Sequence, residues 1–380
     1  MSALEELFRS HKNNTSDLRE AQKQTAEDLG KWLEKGEVKP ESMSIRDMWD
    51  TFVTPQLEAR GKKFDYRTSD FAEVREEMVS SMFPFATGKL IHPAIIEQYE
   101  VDTANIRQLV REVPSDRREE DIVGFSDGDR PRHVEEGQPY PEAQMSEKRA
   151  KISNHKFGQG MGLTVEMVRF DQTNEVLNRA KDTGTFIADL LEEFICYRLA
   201  DTAWTEVQET VSQSFIYGGT RYAMYSNDHS AIDSQTNDNL VAGAAPSITV
   251  QEGMGQALTG MKTEKGRPAR IRPRFIFGHA NSADSLSRFY NEQDFNPGSA
   301  NLDVNIYKGN YGIVTSQFFP STTNYFFGDP AKQFRLQWVW EPQTSTVDGD
   351  PKRDILTSFY TSMYCGVGAT DYRFVVKNPL

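Results

Sequence analysis

The sequence predicts an α+β fold, and three observations carry that reading. Residues 172–206 hold apolar side chains at helical spacing over an unusual length. Residues 246–376 mix short helical and strand-like runs without repeated βαβ units. Residues 114–162 are dense in charge and poor in apolar side chains, which suits a projecting two-stranded arm better than a core element.

From the N-terminus, residues 1–40 read as polar helix. Leu18, Gln22, Thr25, Leu29 and Trp32 fall on one stripe, Asp17 and Glu20 fit a capping box, and Gly30 and Gly36 are candidate stops. The segment is too polar to stand as a domain and reads as an arm or a partner-binding helix. Residues 43–113 mix helical pieces with breakers at Pro55, Gly61, Pro84, Gly88 and Pro93. Val74, Met78 and Met82 continue a helical run, and 91–99 reads as a short buried element.

The stretch 114–162 divides by charge. Glu135, Glu136, Glu142 and Glu147 populate its first half, around Pro139 and Pro141. Lys148, Arg149, Lys151, His155 and Lys156 populate the second. Residues 148–157 alternate as a strand does, with only Ala150 and Ile152 apolar on one face. The expectation is a ribbon with one acidic and one basic side, steadied by cross-strand charge pairs and lying on another surface.

In the spine helix 172–206, Val176, Ala180, Gly184, Ile187, Leu191, Phe194, Arg198 and Ala203 step by three to five. A helix of that length reaches roughly 50 Å, with a bend expected at Thr183-Gly184-Thr185. Residues 207–247 read as loop, and a second unit begins at Pro246. There Val250, Met254, Leu258 and Met261 make a helix, Arg272-Pro273-Arg274 leads into a strand at 275–277, and 280–290 is helical. Runs at 311–318, 324–327, 334–340, 356–364 and 372–376 are strand-like.

Composition narrows the function. Phe, Tyr and Trp make up 11% of the 380 residues, too many for a disordered chain. Asp and Glu outnumber Lys and Arg by 56 to 43, a net charge of −13, which argues against a dedicated nucleic-acid reader but not against enclosing nucleic acid. Two cysteines, Cys196 and Cys365, make neither a disulfide framework nor a four-cysteine zinc site. Without an apolar N-terminal stretch or an 18-residue apolar run, the expectation is a soluble protein made in the cytoplasm, with no membrane partner.

Catalytic signatures are missing. The chain has no GxxxxGK[ST], HExxH, CxxC or GxSxG motif. Gly158, Gly160 and Gly162 imitate a dinucleotide loop, but Thr164 and Val165 continue a strand where a helix should start. Asp228-His229-Ser230 reads as a solvated turn, and His279 as a cap. Asp127/Asp129 and Asp348/Asp350 do not extend into calcium loops. The aromatics from Tyr325 to Trp340 read as core strands rather than a base-stacking platform. No cofactor or metal site is expected.

The order of elements resembles the major capsid protein family of tailed bacteriophages, with its Hong Kong 97-like shell fold. Residues 135–146 followed by 148–153 resemble the family's extended loop, and 163–168 its transition into the spine helix. Residues 272–277, 311–316, 325–330 and 370–376 resemble successive axial-domain and closing strands. The resemblance covers about 115–380. It implies an N-terminal helical arm region at 1–113, an extended loop at 114–162 and a peripheral domain with the spine helix at 163–245. An axial domain at 246–330 and return strands at 331–380 complete it.

By the same resemblance the chain is a structural protein, not an enzyme. It assembles in the host cytoplasm into pentamers and hexamers of the virion head and encloses DNA. Scaffolding, portal and decoration proteins are its further partners. Glu135, Glu136, Glu142, Glu147, Lys148, Arg149, Lys151 and Lys156 become inter-subunit contacts, and Lys148 or Lys151 the candidate for a lysine–asparagine crosslink. Other readings are an encapsulin-type nanocompartment, a hydrolase using Glu192 and Glu193 on the spine, and a tail or scaffold component.

Overall fold

The computed structural model describes residues 3–15, 17–36, 38–39, 43–61, 83–125, 133–134, 136, 147–164, 167, 175–207, 214–217, 220–227, 229–230, 236–263, 266–291, 308–348 and 355–379. The helical run at 71–82, with Val74, Met78 and Met82, lies outside them.

The chain divides into two compact units, each built from discontinuous segments. The first comprises 1–102, 156–189 and 340–364, and the second 103–155, 190–339 and 365–380.

In the first unit, helices α1 (Ala3–Asn14), α2 (Leu18–Glu34), α3 (Ile45–Phe52), α4 (Thr54–Ala59) and α5 (Phe83–Thr103) pack together. Asp17 caps α2 by accepting from the Arg19 amide, and Gly36, at φ +68°, ends it. Gly30 lies inside the helix instead, where the Lys89 side chain packs closely over it. Ser44 and Asp47 form a capping box on α3.

The segment expected to be a free arm is therefore folded against its own unit. Leu4, Leu29 and Leu33 share a core with Trp49, Phe52, Phe83 and Ile95. Its buried polar residues are satisfied: Gln22 donates to the Thr51 and Phe52 carbonyls and accepts from Gln56. Helix α5 replaces the expected short pieces. It runs 21 residues straight through Pro93, its apolar packing outweighing the hydrogen bond that proline forfeits.

The spine helix α6 (Glu175–Ala200) spans 26 residues, about 39 Å; it ends earlier than expected at its C-terminus, and 172–174 lie outside the described residues. The helix continues through Gly184 without a break. A Cβ there would sit 2.5 Å from the Ile95 carbonyl oxygen, so the glycine lets the backbones of α5 and α6 approach closely. At the far end of α6, within the second unit, two otherwise orphaned carbonyls find donors. Tyr225 Oη donates to Leu199 at 2.7 Å, and Lys377 Nζ to Ala200 at 3.1 Å.

The strands are β1 (Arg111–Pro114), β2 (Glu119–Phe125), β3 (Glu147–Ser153), β4 (His155–Thr164), β5 (Ser214–Tyr217), β6 (Thr220–Ala223), β7 (His229–Ser230), β8 (Thr236–Asn237), β9 (Phe275–His279), β10 (Gly312–Ser316), β11 (Tyr325–Gly328), β12 (Phe334–Asp348), β13 (Ile355–Ala369) and β14 (Val375–Asn378). Three four-stranded sheets result, in the orders β1-β12-β13-β4, β10-β9-β11-β14 and β2-β3-β5-β6.

The second of these sheets is the core of its unit. β9 runs parallel to β10, while β11 is antiparallel to both β9 and β14. One face, with Ile276, Tyr325, Phe327 and Val376, packs on α7 (Ile248–Gly260) and α8 (Ala283–Asn291) through Met254, Leu258, Leu286 and Tyr290. The other stacks Phe277 on Phe326, ring centroids 5.1 Å apart. A sheet buried on both faces explains the unbroken apolar runs at 275–277 and 325–327. It also settles the aromatics at 325–327 as core.

Candidate assembly surface

Charge on the ribbon is arranged by strand register. β2 pairs antiparallel with β3, matching Glu119 with Ser153, Asp121 with Lys151, Ile122 with Ala150 and Val123 with Arg149. Opposite residues share a face in such a pair. Ala150 and Ile152 are buried, with Glu120 and Ile122 beside them. The other face, with Glu119, Asp121, Val123, Arg149 and Lys151, is exposed.

Two expectations are corrected here. The acidic partner of the basic strand is 119–125, not 135–147. Nor does the ribbon lie on a foreign surface by its apolar face: Ala150 and Ile152 are buried within the chain. Ile152 lies against Gly368, and the backbone of Ser153 and Asn154 against Gly366, positions where only glycine leaves space.

The base of the ribbon is fastened by polar contacts. Asn154 donates to the Arg117 carbonyl at 2.6 Å, and Glu120 accepts from Ser115 at 2.8 Å and Gln337 at 3.1 Å. The outward face carries an expected cross-strand ion pair, Lys151 Nζ to Glu119 Oε2 at 2.6 Å. Each member favours the charged state of the other: the hydrogen bond from Lys151 lowers the Glu119 pKa, and Glu119 raises that of Lys151. Val123, 53% exposed beside Arg149, is an apolar side chain with no core to enter.

The expected contact residues divide accordingly. Arg149 and Lys151 share the outward face, and Glu136 is exposed. Glu147 and Lys148 lie on β3 by backbone alone. Glu135 and Glu142 lie outside the described residues, as do Pro139 and Pro141. Lys156, exposed on β4, holds its ammonium 5.6 Å from the Trp340 ring centre.

What sequence reasoning missed is the rest of this sheet. β3 pairs with β5 through Lys148–Tyr217 and Arg149–Ile216, and β5 pairs with β6. The signal was present: two β-prone runs, 214–217 and 220–223, separated by Gly218-Gly219. The following loop is stitched down by buried Asn239, which donates to Met224 and Tyr372 carbonyls and accepts from the Ser226 amide.

The chemistry-bearing candidates resolve into structural roles. His229 is buried, not solvated: its ring nitrogens face the carbonyls of Asn237 (3.1 Å) and Ala223 (2.7 Å), and it stacks on Tyr372. Asp228 lies outside the described residues, as do Asp127, Asp129 and Asp350. His279 caps the turn after β9, accepting from Asn281. The 158–162 glycines lie on strand β4, where Gly160 admits the Tyr360 ring of β13. Burial pushes the Cys365 thiol up to about 12 and Cys196 higher still. Among the described residues no group of three His, Cys, Asp or Glu side chains could hold a metal ion, and no helix is long and apolar enough to cross a membrane.

The family model described as phage capsid protein matches residues 149–378. No curated protein matches the chain. Among solved structures, the capsid of the native GTA particle computed with C5 symmetry is similar at 13% identity and TM-score 0.49, over 72% of this chain and 89% of that one. A Mycobacterium phage Cain chain is similar at 9% and 0.45, over 72% and 88%. The capsid structure of the Cyanophage P-SCSP1u is similar at 10% and 0.45, over 71% and 86%.

Proposed function

The chain belongs to the phage capsid protein family, and from that premise we propose that it is the major head subunit of a tailed phage. Copies assemble into pentamers and hexamers, in the host cytoplasm, to make an icosahedral shell around DNA. The family match over 149–378 carries this reading. In it the chain has the Hong Kong 97-like arrangement, with α6 as spine and residues 114–162 as the extended loop.

The ribbon supplies the proposed contact. Its inner face is anchored to the parent chain, while Glu119, Asp121, Val123, Arg149 and Lys151 face outward. A mixed-charge strand pair with an exposed valine offers a neighbour both charge complementarity and a small apolar contact. Each contact is weak, and closed symmetry repeats it around a capsomer.

Sedimentation and negative-stain microscopy of the purified chain test the reading. Capsomers or closed shells are the expected outcome, and a chain that stays monomeric at every concentration refutes it. Reversing the outward Arg149 and Lys151 to Glu leaves the monomer folded and weakens assembly. Loss of monomer folding places the outward face inside its own fold and refutes the contact. Shells isolated with an enzyme inside rather than DNA favour the nanocompartment.

A further inference from the structure

A second charged feature lies away from the ribbon. Residues 262–274 carry Lys262, Lys265, Arg267, Arg270, Arg272 and Arg274, in a chain of net charge −13. The backbone sorts them. Ala269 and Ile271 pack toward the core under α7 and α8, while Arg270, Arg272 and Arg274 alternate with them and stay exposed.

The stripe is held firmly. The Ala269 amide donates to the Met261 carbonyl at 2.8 Å. The Arg274 amide donates to Gly328, and its carbonyl accepts from Gly312, each at 2.9 Å. Arg270 adopts φ +52°, a conformation unfavourable for a residue with a Cβ. The Arg274 guanidinium lies 5.8 Å from the Phe275 ring centre. Among the described residues no carboxylate pairs with any of the three, although the chain has 56 Asp and Glu. Three exposed cations, unpaired by any described carboxylate, suit an anion from outside.

We propose that Arg270, Arg272 and Arg274 bind the phosphate backbone of double-stranded DNA. The inference rests on the shell reading only for where the DNA comes from. A row of guanidinium forks on an anchored backbone suits a polyanion with repeated charge. The acidic face of a second copy fits less well: the alternating carboxylates Glu119 and Asp121 already face Lys151. Three phosphate contacts give a light grip, consistent with a protein whose total charge repels DNA.

The test is fluorescence anisotropy of a labelled duplex with the unassembled full-length chain, across a salt series. Three neutralised phosphates give a slope of log K against log salt of about −2.7, or about 40-fold weaker binding at 200 than at 50 mM. Arg270→Ala/Arg272→Ala/Arg274→Ala abolishes that salt-dependent binding, and the triple Lys variant retains most of it. Single variants Arg272→Ala and Arg274→Ala, each lowering the slope by about 0.9, serve if the triple variant fails to fold. Unchanged DNA binding in the variants overturns the proposal. So does polyglutamate binding as well as the duplex, or loss of self-assembly with DNA binding intact, both of which assign the stripe to an acidic protein surface. Because the readout needs no shell, a failed assembly experiment leaves this result interpretable.

Discussion

Replacing Gly184 with alanine sets two opposing effects against each other. Alanine is the better helix former by about 1 kcal/mol, so in a free helix the change stabilises. In α6 the new Cβ lies 2.5 Å from the Ile95 carbonyl oxygen and 3.2 Å from Gln98 Cβ, where ordinary contact begins near 3.4 Å. The obstacle is backbone, which cannot swing aside, so α5 and α6 must separate. Overpacking of this kind costs about 1–3 kcal/mol, and a backbone obstacle places it at the upper end. The expected net loss is about 2 kcal/mol, from about 3 against about 1. Urea unfolding of the dissociated chain, followed by far-ultraviolet circular dichroism, reads it as a lower midpoint at unchanged slope. Gly255→Ala in α7 is the paired control. Nothing lies within 4 Å of its Cβ, so the propensity gain of about 1 kcal/mol appears alone. A Gly184→Ala midpoint at or above the wild type would refute the helix contact.

Other outcomes follow from single groups. Arg107 makes two 2.7 Å hydrogen bonds to Glu112, and with the Trp338 indole it holds that carboxyl below its ordinary 4.5. A depressed carboxylate stabilises the fold fully above its unfolded pKa and loses that contribution as pH falls through the folded one. Acid titration should therefore destabilise the wild type more steeply below pH 4.5 than Glu112→Gln, and parallel curves would remove Glu112 from the acid response. Cys196 and Cys365 are buried with raised pKa values, so Ellman's reagent at pH 8 should label neither in the folded chain and both in guanidinium; rapid native labelling would contradict their burial. Removing one outward charge by Lys151→Ala should barely move the melting temperature of the dissociated chain, because an exposed ion pair contributes little; a drop of many degrees would show that the pair supports the monomer.

Periodicity made the long elements legible. Val176, Ala180, Leu191 and Phe194 marked α6, and Met254, Leu258 and Met261 marked α7, because a one-sided apolar stripe has few other uses. The doubly buried strands 275–277 and 325–327 were equally clear. Breakers misled where packing overruled them: Pro93 sits inside α5, and Gly184 is a contact inside an unbroken α6. Register was the hardest part. Charge counting placed the acidic side of the ribbon at 135–147, but pairing is decided by which face finds a core, and Ile122 with Ile152 selected 119–125. His229 looked like solvated turn because one sequence cannot show that Tyr372 will lie on its ring.

The discontinuity of the two units constrains synthesis. The first needs residues 340–364 and the second residues 365–380, so neither can close while the ribosome is still translating the first 339 codons. Nascent chain therefore emerges with the apolar strands 275–277 and 325–327 waiting for β14, which pairs with β11. At 5–20 residues per second this exposure lasts on the order of seconds, an interval in which a chaperone, rather than another subunit, is the useful neighbour.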